Sequence, residues 1–69
     1  MATINILLNG EIREAPEEIK LDHLLELFRL PSQRIAIELN KNVIRRVDWP
    51  QTPVFDGDSI EVVHFVGGG

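Results

Sequence analysis

Residues Thr3–Pro16 read TINILLNGEIREAP, and this stretch decides how the rest of the chain has to be arranged. Ile4, Ile6 and Leu8 alternate with Thr3, Asn5 and Asn9, the period-two pattern of a strand with one apolar face. Leu7 breaks the alternation and is assigned to the outer face. Asn9-Gly10 follows, the pair best suited to a two-residue hairpin, because a type I′ turn requires positive φ at both positions. The return strand runs from Glu11 to Ala15, with Ile12 placed on the core face and Pro16 ending it. The chain therefore opens on a hairpin whose apolar side needs a cover.

The cover comes next. From Glu17 to Leu30 the period changes, and Leu21, Leu24, Leu25 and Phe28 lay one apolar stripe along a helix. Asp22 near its start and Arg29 near its end suit the helix dipole. Pro31 closes it, because the residue before proline resists the α conformation. Ile35, Ile37 and Leu39 make another alternating strand, Asn40-Lys41-Asn42 turns tightly, and Val43-Ile44 forms a short return. Arg45–Thr52 is irregular, with Trp49 as a core or loop anchor. Asp56-Gly57-Asp58 is a turn that launches a last strand, Ser59–Val66. This order is α+β and packs as one sheet with the helix across one face. Covering the helix puts the first hairpin and the last strand at the centre, with the strands of the two termini side by side and parallel. That is the β-grasp, or ubiquitin-like, arrangement: a mixed sheet of four or five strands on one main helix. The domain spans residues 1–66, and a flexible glycine tail spans 67–69.

With 69 residues, 43% hydrophobic and 26% charged, the chain supports one core and no more. Seven Lys and Arg against eleven Asp and Glu give a net charge of −4. An acidic chain without a basic stripe argues against nucleic acid and for a protein partner with a basic docking surface. Cysteine is absent, which excludes disulfides, thiolate metal sites and a cysteine nucleophile, and fits a reducing compartment. No segment approaches the roughly 20 apolar residues of a membrane span, and no signal peptide is legible at the N-terminus. The expectation is a soluble, cytoplasmic domain.

Chemistry concentrates at Gly67-Gly68-Gly69. Without Cβ atoms, such a segment threads a narrow enzyme tunnel and leaves its carbonyl open to attack. A C-terminal carboxylate, with a reference pKa of roughly 3.3–3.7, is anionic and a poor electrophile at neutral pH. Joining it to AMP makes a reactive acyl group that sulfur or an amine can capture. On the last strand, Ile60, Val62 and His64 share one face, and Glu61, Val63 and Phe65 share the other. With Glu61 facing water, Val63 and Phe65 either form a docking patch or pack beneath a loop or against Leu7. His23 and His64 have no metal-site spacing, and Asp56-Gly57-Asp58 lacks the remaining ligands of a calcium loop. No nucleophile–base set or paired-carboxylate cleft is present, and no helix follows the glycines to make a phosphate loop. The domain reads as a substrate or carrier for other enzymes, not an enzyme, binding no metal and no cofactor itself.

Over nearly its whole length the sequence resembles the sulfur carrier protein of thiamine biosynthesis. The resemblance rests on Asn9-Gly10, Leu24-Leu25 and Leu39-Asn40, on Asn42-Val43-Ile44, Arg46 and Trp49, on Asp56-Gly57-Asp58, and on the ending His64-Phe65-Val66-Gly67-Gly68-Gly69. Glu38, where a small residue is more usual, and Arg45, often proline in relatives, depart from it. The resemblance implies that a ubiquitin-activating-type adenylating enzyme uses ATP and Mg to make an acyl-adenylate at Gly69. Sulfur drawn from cysteine through a desulfurase then displaces AMP to leave a thiocarboxylate, and thiazole synthase takes that sulfur into the thiazole ring. Gly69 is the attachment residue, Gly68 is needed for access, Gly67 extends the stalk, and Val63 and Phe65 are the docking residues. The small subunit of molybdopterin synthase shares the fold and tail. A ubiquitin-like modifier would use the same ending to form isopeptide bonds with lysines, and a purely structural interaction module would make no use of it.

Overall fold

The computed structural model describes residues 2–65. Strands β1 (Thr3–Leu8) and β2 (Glu11–Pro16) form the opening hairpin and helix α1 (Leu21–Leu27) follows. Strands β3 (Ile35–Leu39) and β4 (Asn42–Ile44), a 3₁₀ helix (Arg46–Gln51) and strand β5 (Ser59–His64) complete the chain of elements. The five strands make one sheet in the order β2-β1-β5-β3-β4. β1 and β5 run parallel, and every other neighbouring pair is antiparallel. This is the mixed β-grasp sheet that the sequence predicts, with β1 and β5 side by side, but only β1 of the first hairpin lies inside the sheet, β2 standing at an edge and not at the centre. A 3₁₀ helix lies inside the stretch expected to be irregular.

Packing follows the alternation. Ile4, Ile6 and Leu8 from β1, Ile35 and Ile37 from β3 and Ile60 from β5 are buried with Leu21, Leu24 and Leu25 of α1. Trp49, Val54 and Ala15 of β2 complete the cluster. Each fully buried aliphatic side chain is worth about 1.5–3 kcal/mol, a large share of the stability of so small a domain. Among the described residues no helix is long and apolar enough to cross a membrane.

Ile12 does not reach the core, as its place in the sequence suggested; it is 74% exposed. The register gives the reason. A two-residue turn pairs Leu8 with Glu11, and therefore Ile12 with Leu7, which already faces outward. Cross-strand partners share a face, so Ala15, opposite Ile4, is the β2 residue that enters the core.

The helix is also shorter than the predicted Glu17–Leu30, running only from Leu21 to Leu27. The residues before it bond elsewhere. Glu18 sits at φ 59°, Lys20 bridges to Pro53, and the Val54 N–H donates to the Ile19 carbonyl. The Leu21 N–H donates to the Thr52 carbonyl at 3.1 Å, so a distant loop satisfies a helix-start donor that no side chain caps. At the other end the Arg29 N–H donates to the Glu26 carbonyl (3.2 Å) and the Leu30 N–H to the Leu25 carbonyl (2.8 Å). That is the bonding of a Schellman motif, whose left-handed position usually holds glycine. Arg29 fills it with φ 56°, beyond the last turn, so it is not the dipole partner that the sequence suggested. A Cβ in the left-handed region is unfavourable by roughly 1–2 kcal/mol. Arg29→Gly is therefore expected to raise the unfolding free energy by about 0.5–1 kcal/mol, read as a higher urea midpoint at unchanged slope.

Candidate functional site

β5 occupies the centre of the sheet, with β1 on one side and β3 on the other. Both hairpin turns hold it there. Asn9 (φ 52°) and Gly10 (φ 84°) form the β1–β2 turn, and Asn40 (φ 52°) and Lys41 (φ 71°) repeat the same positive-φ pair between β3 and β4. Each asparagine side chain then reaches β5. Asn9 Oδ1 accepts from the Val62 N–H at 2.8 Å, and Asn40 Oδ1 accepts from the Ser59 N–H at 2.9 Å. Their own N–H groups donate to the carbonyls of Ile60 (2.9 Å) and Ser59 (2.8 Å).

Asp56-Gly57-Asp58 is the turn that the sequence indicates, and its carboxylates are engaged by amides. Asp56 Oδ1 accepts from the Asn5 N–H at 2.8 Å, and Asp58 Oδ2 accepts from the Phe55 N–H at 2.8 Å. Asp58 Oδ1 accepts from Asn40 Nδ2 at 3.1 Å. Gly57, at φ 86°, makes the turn possible. The start of β5 is thus anchored from three directions.

Past that anchorage, β5 carries Val63 on the face of the sheet away from α1, and Phe65 follows one residue beyond the strand's end; they are 47% and 55% exposed. Leu7 does not cover them: it is level with Ser59, four residues back along the strand, or about 13 Å at ~3.3 Å per residue. The Phe65 N–H donates to the Arg34 carbonyl at 2.7 Å, so the backbone is still fixed to the β3 side at the last described residue. Ala36 lies opposite Val63, and Glu38 lies opposite Glu61. Like charges directly opposite each other weaken a sheet, and among the described residues neither glutamate has an ion-pair partner. The outer face therefore presents an apolar patch with an unneutralised acidic pair beside it. Gly67, Gly68 and Gly69, and the expected domain boundary at 66/67, lie outside the described residues.

The other singled-out residues are structural. Trp49 is buried, and its Nε1 donates to the Ile44 carbonyl at 2.9 Å. The Arg46 guanidinium stands 4.5 Å from the Trp49 ring centroid. The Val-Ile-x-Arg-x-x-Trp run is a clasp between β4 and the 3₁₀ helix. His23 and His64 are exposed, and no three His, Asp or Glu residues among those described gather to hold a metal. The bonds from Asn9 and Asn40 to β5 were not foreseen; their only sequence signal is asparagine at both hairpin turns.

The sheet, the helix that crosses it and the anchored last strand define a ubiquitin-like β-grasp protein. The chain belongs to the ThiS family; the model of that family matches residues 6–69. It is similar to the sulfur carrier protein ThiS of Bacillus subtilis, 33% identical over 63 residues that make up 90% of this chain and 96% of that one. The crystal structure of the thiamine biosynthesis protein ThiS from Geobacter metallireducens matches with a TM-score of 0.85 at 30% identity, over 96% of this chain and 100% of that one. Proteins named thiazole synthase from Paramagnetospirillum magneticum and Magnetococcus marinus are 32% and 38% identical over 66 residues, and this chain spans 20% of their length.

The Asn9 bond can be isolated, because glycine keeps the positive φ without supplying an acceptor. Asn9→Gly is expected to lower stability by about 1 kcal/mol and to speed hydrogen exchange at the Val62 amide, while amides bonded to β3 keep their protection.

Proposed function

We propose that Gly69 carries sulfur as a terminal thiocarboxylate, made by an adenylating enzyme of the ubiquitin-activating type. A carboxylate oxygen of Gly69 attacks the α-phosphorus of Mg-ATP, and pyrophosphate leaves. A desulfurase takes sulfur from cysteine as a persulfide, and a thiol reduces that persulfide to sulfide, itself ending in a disulfide. The sulfide attacks the acyl carbon, the bond to AMP breaks, AMP leaves and the thiocarboxylate remains. ATP and magnesium belong to the enzyme, and the carrier needs no cofactor of its own. The observation that carries this reading is the family match, which extends through Gly69. Thiazole synthase is the acceptor on this reading, because in two relatives a segment similar to this chain is part of a protein with that name. The cytoplasm, where ATP and a cysteine desulfurase are available, is the compartment that fits.

The outer face supplies the docking surface. Val63 and Phe65 give it an apolar centre, and the Glu38–Glu61 pair favours a partner that brings a cation. Gly68 and Gly67 add no side chain, so the segment between that surface and the reacting carboxylate stays narrow.

Intact mass after incubation with the adenylating enzyme, ATP and a sulfur source is expected to rise by the difference between one sulfur and one oxygen, localised to Gly69. An unchanged mass with active enzyme would overturn the reading. Gly68→Val should abolish adenylation while the unfolding transition stays in place. Phe65→Ser should leave stability within about 0.5 kcal/mol and lower kcat/KM for activation by roughly tenfold, chiefly through KM.

A further inference from the structure

We propose that the free edge of β5 at Val62 and His64 takes up an extended segment of the adenylating partner as an added strand; the proposal rests on the carrier reading above. The backbone parity of β5 is fixed at both ends. The Phe65 N–H donates to the Arg34 carbonyl, and the Asn40 N–H donates to the Ser59 carbonyl, so odd-numbered residues bond toward β3. Even-numbered residues bond the other way. The Asp58 carbonyl accepts from Leu7, the Ile60 carbonyl accepts from Asn9, and the Val62 N–H donates to Asn9 Oδ1.

β1 pairs with β5 only at Leu7–Ser59 and Leu8–Ile60, because the Asn9-Gly10 turn sends it back. β3 stays paired with β5 out to His64. The Val62 carbonyl and both the N–H and carbonyl of His64 therefore face a side where β1 no longer runs, without a partner among the described residues.

The other edges of the sheet are guarded. β2 carries Glu11, Arg13, Glu14 and Pro16, and β4 is 3 residues long; charge, proline and shortness all discourage pairing. The end of β5, with Val62, Val63 and Phe65, has none of these devices. Its occupant follows from reach. Gly69 is four residues beyond Phe65, at most about 14 Å at ~3.3–3.6 Å per residue. An enzyme acting on Gly69 therefore works within that distance of this edge, and strand addition lets it bind there through main-chain hydrogen bonds.

The test is amide hydrogen exchange on the full chain, alone and with the adenylating enzyme of the same genome, magnesium and a non-hydrolysable ATP analogue. In the free chain the His64 amide should exchange at least ~10-fold faster than Val63 and Phe65, and in the complex it should slow to match them. A semisynthetic chain carrying an N-methyl group on the His64 amide keeps its bonds to β3 and should bind about tenfold more weakly, the worth of roughly one hydrogen bond. If the enzyme releases pyrophosphate from ATP with the chain present, yet His64 stays unprotected in the complex, the proposal falls and the carrier reading stands. If neither pyrophosphate release nor protection occurs, both fall. Protection that grows with concentration in the free chain, together with a doubled mass, would give the edge to a second copy and overturn the proposal.

Discussion

The amide oxygens of Asn9 and Asn40 hold β5 in register, and most of what this protein presents to others depends on that. Two residue pairs are all that joins β1 to β5 in parallel, a short ladder of a slightly weaker kind than the antiparallel one. A slip of one residue would turn Ile60 outward and bring Glu61 and Val63 in. The two asparagines prevent it by extending the hydrogen bonding where neighbouring backbone cannot, at Val62 and at Ser59. Asparagine suits both tasks: it tolerates the left-handed conformation that a type I′ turn demands, and its side chain supplies an acceptor.

From that registration the site follows. With Ile60 in the core, Glu61, Val63 and Phe65 have to lie on the outer face, and the chain leaves the sheet with its backbone still bonded to Arg34. The folded body, among its described residues, brings together no nucleophile, base or metal ligands. It supplies a fixed departure point and a recognisable face. On the proposed reading the reacting atom belongs to Gly69, and the sequence has no side chains from Gly67 to that residue. Recognition and chemistry are thereby separated along one strand.

Much of this was legible in the sequence, for reasons that can be named. Strand periodicity at Ile4, Ile6 and Leu8, helical periodicity from Leu21 to Phe28, and the two asparagine turns together force a sheet with one cover, and the parallel pairing of its terminal strands follows. What escaped depends on longer-range facts. Ile12 looks like a core residue until the turn fixes its partner as Leu7. The helix start at Leu21 is set by Thr52 and Pro53, some thirty residues away, which no local pattern announces. Arg29 reads as a dipole partner unless the Schellman bonds are seen. The exposure of Val63 and Phe65 was open between docking and cover; their distance from Leu7 decides for exposure. The glycines were read from the chemistry of a terminal carboxylate, not from any fold.

On the carrier reading, the opposed carboxylates of Glu38 and Glu61 bear on traffic between partners. In the isolated protein they work against the sheet, and a carrier gains nothing from that unless the pair is neutralised when a partner arrives. Charge placed this way accelerates encounter more than it deepens affinity, and on the proposed reading, in which the carrier passes from one enzyme to another, fast arrival and fast departure both serve it. At a typical association rate of ~10⁶ M⁻¹s⁻¹, a micromolar complex lasts about a second; a nanomolar one would last on the order of a thousand seconds and would strand the sulfur. The core can be as firmly packed as a small domain allows, because nothing in it has to let go. On the carrier reading, the outer face is lightly furnished because what docks there has to let go.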